Sequence, residues 1–188
     1  GEDPYEILTQ IAGKVNPGSD GLLFHPYLAG ERAPLWNANA RGSFFGLGLH
    51  HQKEHLIRAV LEGVIFNLYT VLLALKEVIG EPKKIQATGG FARSSLWRQI
   101  MADIFNQEVS IPESFESSCL GAAILGLYSL GEVSSLHVVK DMVGATHHHR
   151  PIEENIEVYK ELTAIYIRLA RLLKEEYESI ADFQKKWV

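Results

Sequence analysis

The stretch that decides the fold is IQATGGFARSSLWRQI, which runs from Ile85 to Ile100. A short apolar run breaks at two consecutive glycines, and a helical pattern opens at Ser94 or Ser95. Such a passage from strand to helix is the repeating unit of α/β proteins. The sequence therefore predicts an α/β fold, and the use of the glycine pair becomes the first functional question.

Glycine has no Cβ, so Gly89 and Gly90 can adopt positive φ and allow a phosphate or a flat ligand to approach the backbone. A helix that follows offers unpaired N–H groups and the positive end of its dipole, and Ser94 or Ser95 is a suitable N-cap. The pair fits neither the GxGxxG nor the Walker A pattern. The residues alone leave two interpretations: a turn that binds a ligand, or a tight turn between a strand and a helix that binds nothing.

The rest of the chain alternates helices with a few strands. Apolar spacing of three and four predicts a long helix near the middle, with two apolar faces that should both be covered. A 30–47 segment rich in turn residues, PESFESS at 112–118 and THHHR at 146–150 are predicted as irregular or loop. The predicted helices are Pro4–Val15 with Asp3 as its cap, Gln52–Ile79, Ser94–Asn106, Ser118–Leu130, a short one in Ser134–Met142, and Ile152–Asp182. The predicted strands are a short one before Pro26, Lys83–Thr88 and Glu108–Ile111.

Three or four strands are few for a doubly wound sheet, so we expect part of a sheet or a whole lobe to be absent from this chain. The composition is ordinary for a globular protein of 188 residues, with a net charge of −5. Without a basic tract, a nucleic-acid-binding surface has no electrostatic support.

The sequence has one cysteine, Cys119, which excludes an internal disulfide and a cysteine-based metal cage. We expect it to be a small buried residue in a reducing compartment. The most apolar run, Val60–Leu75, contains Glu62 and Asn67 and falls short of a membrane span. With an acidic, polar start that resembles no signal peptide, the sequence predicts a soluble, cytoplasmic protein.

For most of the other polar residues that stand out in the sequence, we expect structural roles. His50–His51 and His147–His149 lack the helical spacing of metal ligands, so we expect surface positions and no metal site. Glu31 and Arg32 could pair with each other or face a ligand. Glu62 and Asn67 need polar partners inside an apolar helix, and a neighbouring loop is the expected source.

The stretch RGSFFGLGLHHQKEHLIRAVLEG, which runs from Arg41 to Gly63, resembles the second signature of the FGGY family of carbohydrate kinases. Three further segments agree in order: YLAGERAPLWN from Tyr27, ATGGFARSSLWRQIMADIF from Ala87, and SSCLGAAILGLY from Ser117. The residues in these segments favour the gluconate kinase branch of that family. The positions that match the second family signature are Gly42, Phe44, Gly46, Leu47, His55, Leu56, Ala59, Val60, Leu61 and Glu62.

This resemblance implies the actin-like ATPase (ribonuclease H-like) fold, with sugar and ATP in the cleft between two lobes and Mg²⁺ on the phosphates. Gly90 would lie against the adenine-ribose end of ATP, and Gly89, Phe91 and Ala92 would complete the turn. Ser94 stands where glycerol kinases have a nucleotide-contacting asparagine. Gly121 and Ala122 would let the next helix pack close behind the nucleotide.

The family's Asp-x-Gly phosphate loop, its presumed catalytic aspartate and its Gly-Thr phosphate loop have no counterpart in this sequence. The resemblance therefore implies that residues 1–188 are most of the carboxy-terminal, nucleotide-side lobe. Such a lobe has no catalytic residue of its own, needs its amino-terminal lobe as a partner, and should be inactive alone; a homodimer is possible.

The implied reaction is ATP-dependent phosphorylation of a sugar acid, D-gluconate to 6-phosphogluconate. A xylulose, other ketose or polyol kinase of the same family is one alternative. A non-catalytic helical module with a bare glycine turn is the alternative from another class.

Overall fold

The computed structural model describes residues 3–112 and 117–187, and the greater part of PESFESS lies outside them. The described helices are α1 (Pro4–Ala12), α2 (Lys53–Ile79), α3 (Ser95–Phe105), α4 (Ser117–Ser129), α5 (Val139–Met142), α6 (Glu153–Leu172) and α7 (Lys174–Trp187). The described strands are β1 (Leu23–His25), β2 (Ser43–Phe45), β3 (Ile85–Gln86), β4 (Val109–Pro112) and β5 (Ala145–His149). Asp3 caps α1 as predicted, accepting a hydrogen bond from the Tyr5 N–H.

The strands form two small sheets. β1 and β2 pair antiparallel, while β4 lies between β3, its parallel neighbour, and β5, its antiparallel one. Two loop predictions are therefore wrong. The 30–47 segment contains β2, and THHHR belongs to β5, because in each case a distant strand supplies hydrogen-bond partners that local turn residues do not reveal.

The amino-terminal half of α2 is the centre of the main core. The Gly63 position faces β1 so closely that a Cβ there would lie 2.1 Å from the Phe24 carbonyl oxygen. By length and hydropathy alone α2 could cross a membrane. Its contacts with α1, α3, α6 and β1 are instead those of a core helix.

The carboxy-terminal half of α2 differs from the prediction that both faces are covered. Val78 and Ile79 are 82% and 68% exposed, and Leu75 is half-exposed. Helix α4 is also largely exposed, since Ile124 is its one buried residue among those the structure describes. Cys119 on α4 is exposed, so the prediction of a buried cysteine is also wrong.

The predicted final helix is two helices. The chain turns at Leu173, between α6 and α7. The turn lets α7 pack on the loop after β1, where Tyr177 lies edge-on to Tyr27 with 6.1 Å between ring centroids. Apolar periodicity continues across the break because both helices bury one stripe, which is why the sequence pattern shows one helix.

A buried carboxylate joins the separate parts of the core. Glu62 is 1% exposed and lies on α2 beside Arg58, which is 4% exposed. Four groups donate hydrogen bonds to the carboxylate: the Gly18 N–H (3.0 Å), the Ser19 hydroxyl (2.9 Å), Arg58 Nε (2.7 Å) and the Tyr159 hydroxyl (2.8 Å). The carboxylate therefore ties α2 to the loop before β1 and to α6.

Arg58 extends this network. Its guanidinium donates to the Val15 carbonyl oxygen (2.7 Å) and to the Tyr159 hydroxyl (3.1 Å). Burial raises the pKa of Glu62, and the adjacent Arg58 charge opposes that rise in part. A carboxylate and a guanidinium out of water stabilise the fold only as a fully bonded pair.

We expect Glu62→Ala to lower the free energy of unfolding by about 3–5 kcal/mol, because it leaves the Arg58 charge buried without its partner. Urea unfolding followed by circular dichroism measures the loss. The matched control is Glu157→Ala, which removes an exposed i,i+3 pair with Lys160 and should cost less than about 1 kcal/mol. Equal small losses in the two variants would contradict a structural role for the Glu62 network.

Candidate nucleotide site

The glycine pair lies between β3 and α3, as the sequence predicts, but the geometry is more elaborate. Gly89 has φ +106° and ψ −177°, which favours glycine. Gly90 begins a 3₁₀ turn over Gly90–Arg93, and α3 starts only at Ser95. The predicted helix start at Ser94 or Ser95 is confirmed, and one 3₁₀ turn that the sequence does not predict lies between the glycines and α3.

The backbone at the two glycines borders open space. A Cβ built at Gly89 or Gly90 meets no heavy atom within 4 Å among the described residues. Gly90 is exposed and its φ lies outside the left-handed region. A flat ligand can therefore reach the main chain at Gly90 without displacing protein atoms.

Phe91 and Ala92 hold the turn from the inside. Ala92 is fully buried, and its N–H donates to the Gly89 carbonyl oxygen at 3.0 Å. Phe91 is half-buried and lies edge-on to Trp97, with 5.8 Å between the ring centroids. The two side chains anchor the turn in the core and leave its glycine backbone as the open surface.

Ser94 is the N-cap of α3, which settles the choice between the two serines. Its Oγ accepts a hydrogen bond from the Trp97 N–H at 3.1 Å, the arrangement typical of an N-cap. The hydroxyl keeps its own proton, which can be donated to a further acceptor. The Trp97 indole N–H in turn donates to the Leu61 carbonyl oxygen at 2.8 Å, tying α3 to α2.

The small residues of α4 lie uncovered by the described part of the chain, so their packing behind a nucleotide stays a prediction. A Cβ at Gly121 would meet no heavy atom of the described residues within 4 Å, and Ala122 is exposed. The small residues of α4 therefore present an open face in this chain.

The polar residues inside α2 have partners in loops, as predicted. Glu62 is bonded by the 18–19 loop, and Asn67 Nδ2 donates to Glu31 Oε2 at 3.0 Å. The other Glu31 oxygen accepts from the Arg32 backbone N–H at 3.0 Å. Glu31 thus has a structural partner that neither open reading of Glu31–Arg32 anticipated.

The histidines make local contacts. His148 Nδ1 lies 3.1 Å from Glu108 Oε1, and His55 Nε2 lies 3.1 Å from Asp20 Oδ2. Burial lowers the pKa of His149. Within residues 3–112 and 117–187 there is no group of three or more histidine, cysteine or acidic side chains that could hold a metal ion.

The comparisons with known proteins agree on one family. Residues 3–130 match the FGGY family of carbohydrate kinases, C-terminal domain. Over 186 residues, 98% of this chain, the sequence is 63% identical to the gluconokinase of Bacillus subtilis (strain 168). That alignment covers 36% of the gluconokinase, so the chain spans about a third of the length of this relative.

Two solved structures share the fold. The gluconate kinase from Lactobacillus acidophilus superposes with a TM-score of 0.84 at 36% identity, covering 96% of this chain and 37% of that one. The ligand-bound xylulose kinase from the same organism gives a TM-score of 0.84 at 37% identity, covering 95% and 36%. These similarities confirm the predicted α/β, actin-like ATPase fold.

The open glycine turn held between β3 and α3 thus occurs in a chain whose family match covers more than half its length. This chain belongs to the FGGY family of carbohydrate kinases, and its residues 3–130 match the family's C-terminal domain.

Proposed function

We propose that the complete protein transfers the γ-phosphoryl group of ATP to a hydroxyl of D-gluconate, giving 6-phosphogluconate. The observation that carries this proposal is the 63% identity to the Bacillus subtilis gluconokinase over nearly the whole chain. A xylulose kinase of Staphylococcus epidermidis is 34% identical over 174 residues. The difference favours a sugar acid over a ketose as the substrate.

The role proposed for this chain is to bind the adenosine end of ATP at the Gly89–Gly90 turn. Open space at both glycines supports it, because a ribose or adenine could lie flat against the Gly90 backbone. Phe91 and Ala92 would keep the turn rigid from the core side. The Ser94 hydroxyl is close in sequence and retains a proton for a ligand acceptor.

The phosphate chemistry is proposed to lie elsewhere in the complete protein. Phosphoryl transfer depends on positioned charge around the γ-phosphate, which Mg²⁺ supplies together with the residues that hold it. The described residues contain no suitable metal-binding cluster, so we assign this chain neither the Mg²⁺ ligands nor the base. Residues 1–188 alone are accordingly expected to be inactive.

We also propose a cytoplasmic location, which suits the exposed thiol of Cys119. The amino-terminal lobe of the same protein is proposed as the partner that covers the apolar faces of α2 and α4. We further propose that two copies of the protein associate, with an exposed apolar stripe on α7 as support.

The substrate proposal predicts the result of an activity panel. With ATP and Mg²⁺, the complete protein should phosphorylate D-gluconate with a kcat/KM at least about 100-fold above that for D-xylulose or glycerol, because a site that binds a carboxylate is left with unpaired polar groups by a neutral sugar. Coupled ADP release measures the rates. A preference for D-xylulose would support the ketose kinase alternative, to which the equal TM-scores of the two Lactobacillus structures give weight.

The site proposal predicts that Gly90→Val weakens ADP binding at least about tenfold, equal to about 1.4 kcal/mol, with little loss of stability. The valine side chain enters space that is open in the protein and is proposed to hold the ligand. Calorimetric titration of the complete protein with ADP measures the affinity, and thermal unfolding checks the fold.

The matched control is Ala164→Val on α6, which enlarges an exposed side chain outside the turn. It should bind ADP like the parent protein. Unchanged affinity in a folded Gly90→Val protein would mean that the turn is bare, as in the non-catalytic alternative.

A further inference from the structure

Strand β5 places two histidines against a buried arginine of α3. Side chains alternate between the two faces of a strand, so His147 and His149 share one face of β5 and His148 lies on the other. The first face packs on α3, where Gln99 Oε1 lies 3.3 Å from His149 Nδ1. Arg98, the residue before Gln99, is 7% exposed. Among the described strands β4 is the one partner of β5, so β5 lies at the edge of its sheet.

The positive charge of Arg98 is buried without an anionic partner among the described residues. Burial lowers the pKa of its guanidinium, and no described carboxylate opposes that shift. The Nε atom is buried and has no hydrogen-bond acceptor. A buried charge that lacks a partner is costly, and a second positive charge beside it adds to the cost. Arg98 therefore makes its surroundings unfavourable for a further cation.

Asp103 is the acidic group that acts on His149, but both of its oxygens already have partners. Oδ1 accepts hydrogen bonds from Gln99 Nε2 and from the Ile152 N–H, each at 2.8 Å. Oδ2 accepts a hydrogen bond from Asn155 Nδ2 at 2.7 Å. These bonds fix Asp103 between α3 and the start of α6, so its carboxylate cannot reorient towards β5 without breaking them.

The contacts of Gln99 define which nitrogen of His149 carries the proton. Gln99 Nε2 donates to Asp103 Oδ1 and to the Arg150 carbonyl oxygen, the latter at 2.7 Å, so the oxygen of the amide faces the imidazole. His149 Nδ1 is therefore the donor, and Nε2 carries the lone pair of the neutral ring. A proton added at Nε2 turns the ring into a cation beside Arg98.

The surroundings of His149 oppose that protonation. Burial lowers the pKa of His149 from the ordinary value of 6.5, the charges of Arg98 and His147 lower it further, and Asp103 acts in the opposite direction. Strand β4 adds no charge on this face, because the residues opposite the two histidines are apolar and buried: Val109 and Ile111. A strand released from α3 binds the proton more readily than the docked strand. Release therefore becomes more favourable as the pH falls below about 6.5.

We propose that protonation of His149 beside Arg98 releases β5 from α3, which makes this contact a pH-sensitive switch. Neutral His149 holds the strand to α3 through Gln99. Its cation is repelled by a guanidinium that no carboxylate in the described part of the chain neutralises. Release also breaks the bond from Gln99 to the Arg150 carbonyl oxygen, so α3 loses the contacts that this side chain makes with the end of the strand.

Amide hydrogen exchange of the complete protein at about pH 7.5 and about pH 5.5 tests the switch, after correction for the intrinsic effect of pH on exchange. The protection of residues 145–149 should fall about five- to tenfold at the lower pH, because a histidine with a pKa of 6.5 in the released strand is about 90% protonated one unit lower. In His149→Gln, which carries no charge at either pH, the change should stay below about twofold.

Arg98→Met tests the buried charge separately, because it removes the guanidinium and keeps an apolar side chain. The fall in protection should shrink to about threefold, since burial still opposes the protonation of His149. The matched control is His137→Gln, which removes an exposed histidine outside β5 and should lose protection at the lower pH like the parent protein. Circular dichroism at about pH 7.5 checks that each variant is folded.

Three results would overturn the proposal. Equal protection of residues 145–149 at the two pH values in the parent protein refutes the switch itself. A full loss that persists in His149→Gln refutes His149 as the titrating group. A loss in folded Arg98→Met as large as that of the parent protein refutes the role of the buried guanidinium.

Discussion

The structure depends on the buried carboxylate of Glu62 and on its two sequence neighbours. Glu62 gathers donors from the loop before β1, from α2 itself and from α6. The preceding residue, Leu61, accepts the indole hydrogen bond that holds α3. The following residue, Gly63, allows α2 to approach β1 more closely than any side chain would permit. Three consecutive residues thus fix α3, α6 and β1 to a single helix.

The attachment of α3 to α2 explains how the glycine turn can be rigid and still have an exposed backbone. The turn is covalently joined to α3, and α3 is bonded to α2 through Trp97. Ala92 is buried in the core below it, and the Ser94 cap fixes the first turn of the helix above it. The flexibility that a glycine pair introduces is therefore removed on the inner side. What remains on the outer side is exposed backbone with room for a ligand.

Much of the fold could be predicted from the sequence because the signals for its helices, helix caps and buried polar contacts are local. Apolar spacing predicts α2 and α3, the Asp3 and Ser94 caps follow from helix-start chemistry, and the apolar setting of Glu62 and Asn67 predicts their loop partners. Strand β5 could not be predicted, because a histidine run becomes a strand only beside β4. The break at Leu173 and the exposure of Cys119 likewise depend on what α7 and α4 contact. The nucleotide roles proposed for Gly89–Ala92 and Ser94 rest on the family resemblance, and the open backbone of the turn supports them.

Hydrogen exchange of the complete protein with and without saturating ADP tests the central claim, that the nucleotide lies at this turn. The account predicts slower amide exchange in residues 87–95, where a bound ligand would cover the open backbone, and unchanged exchange in α7. Bound ADP that leaves 87–95 unprotected and slows exchange only in other segments would contradict it.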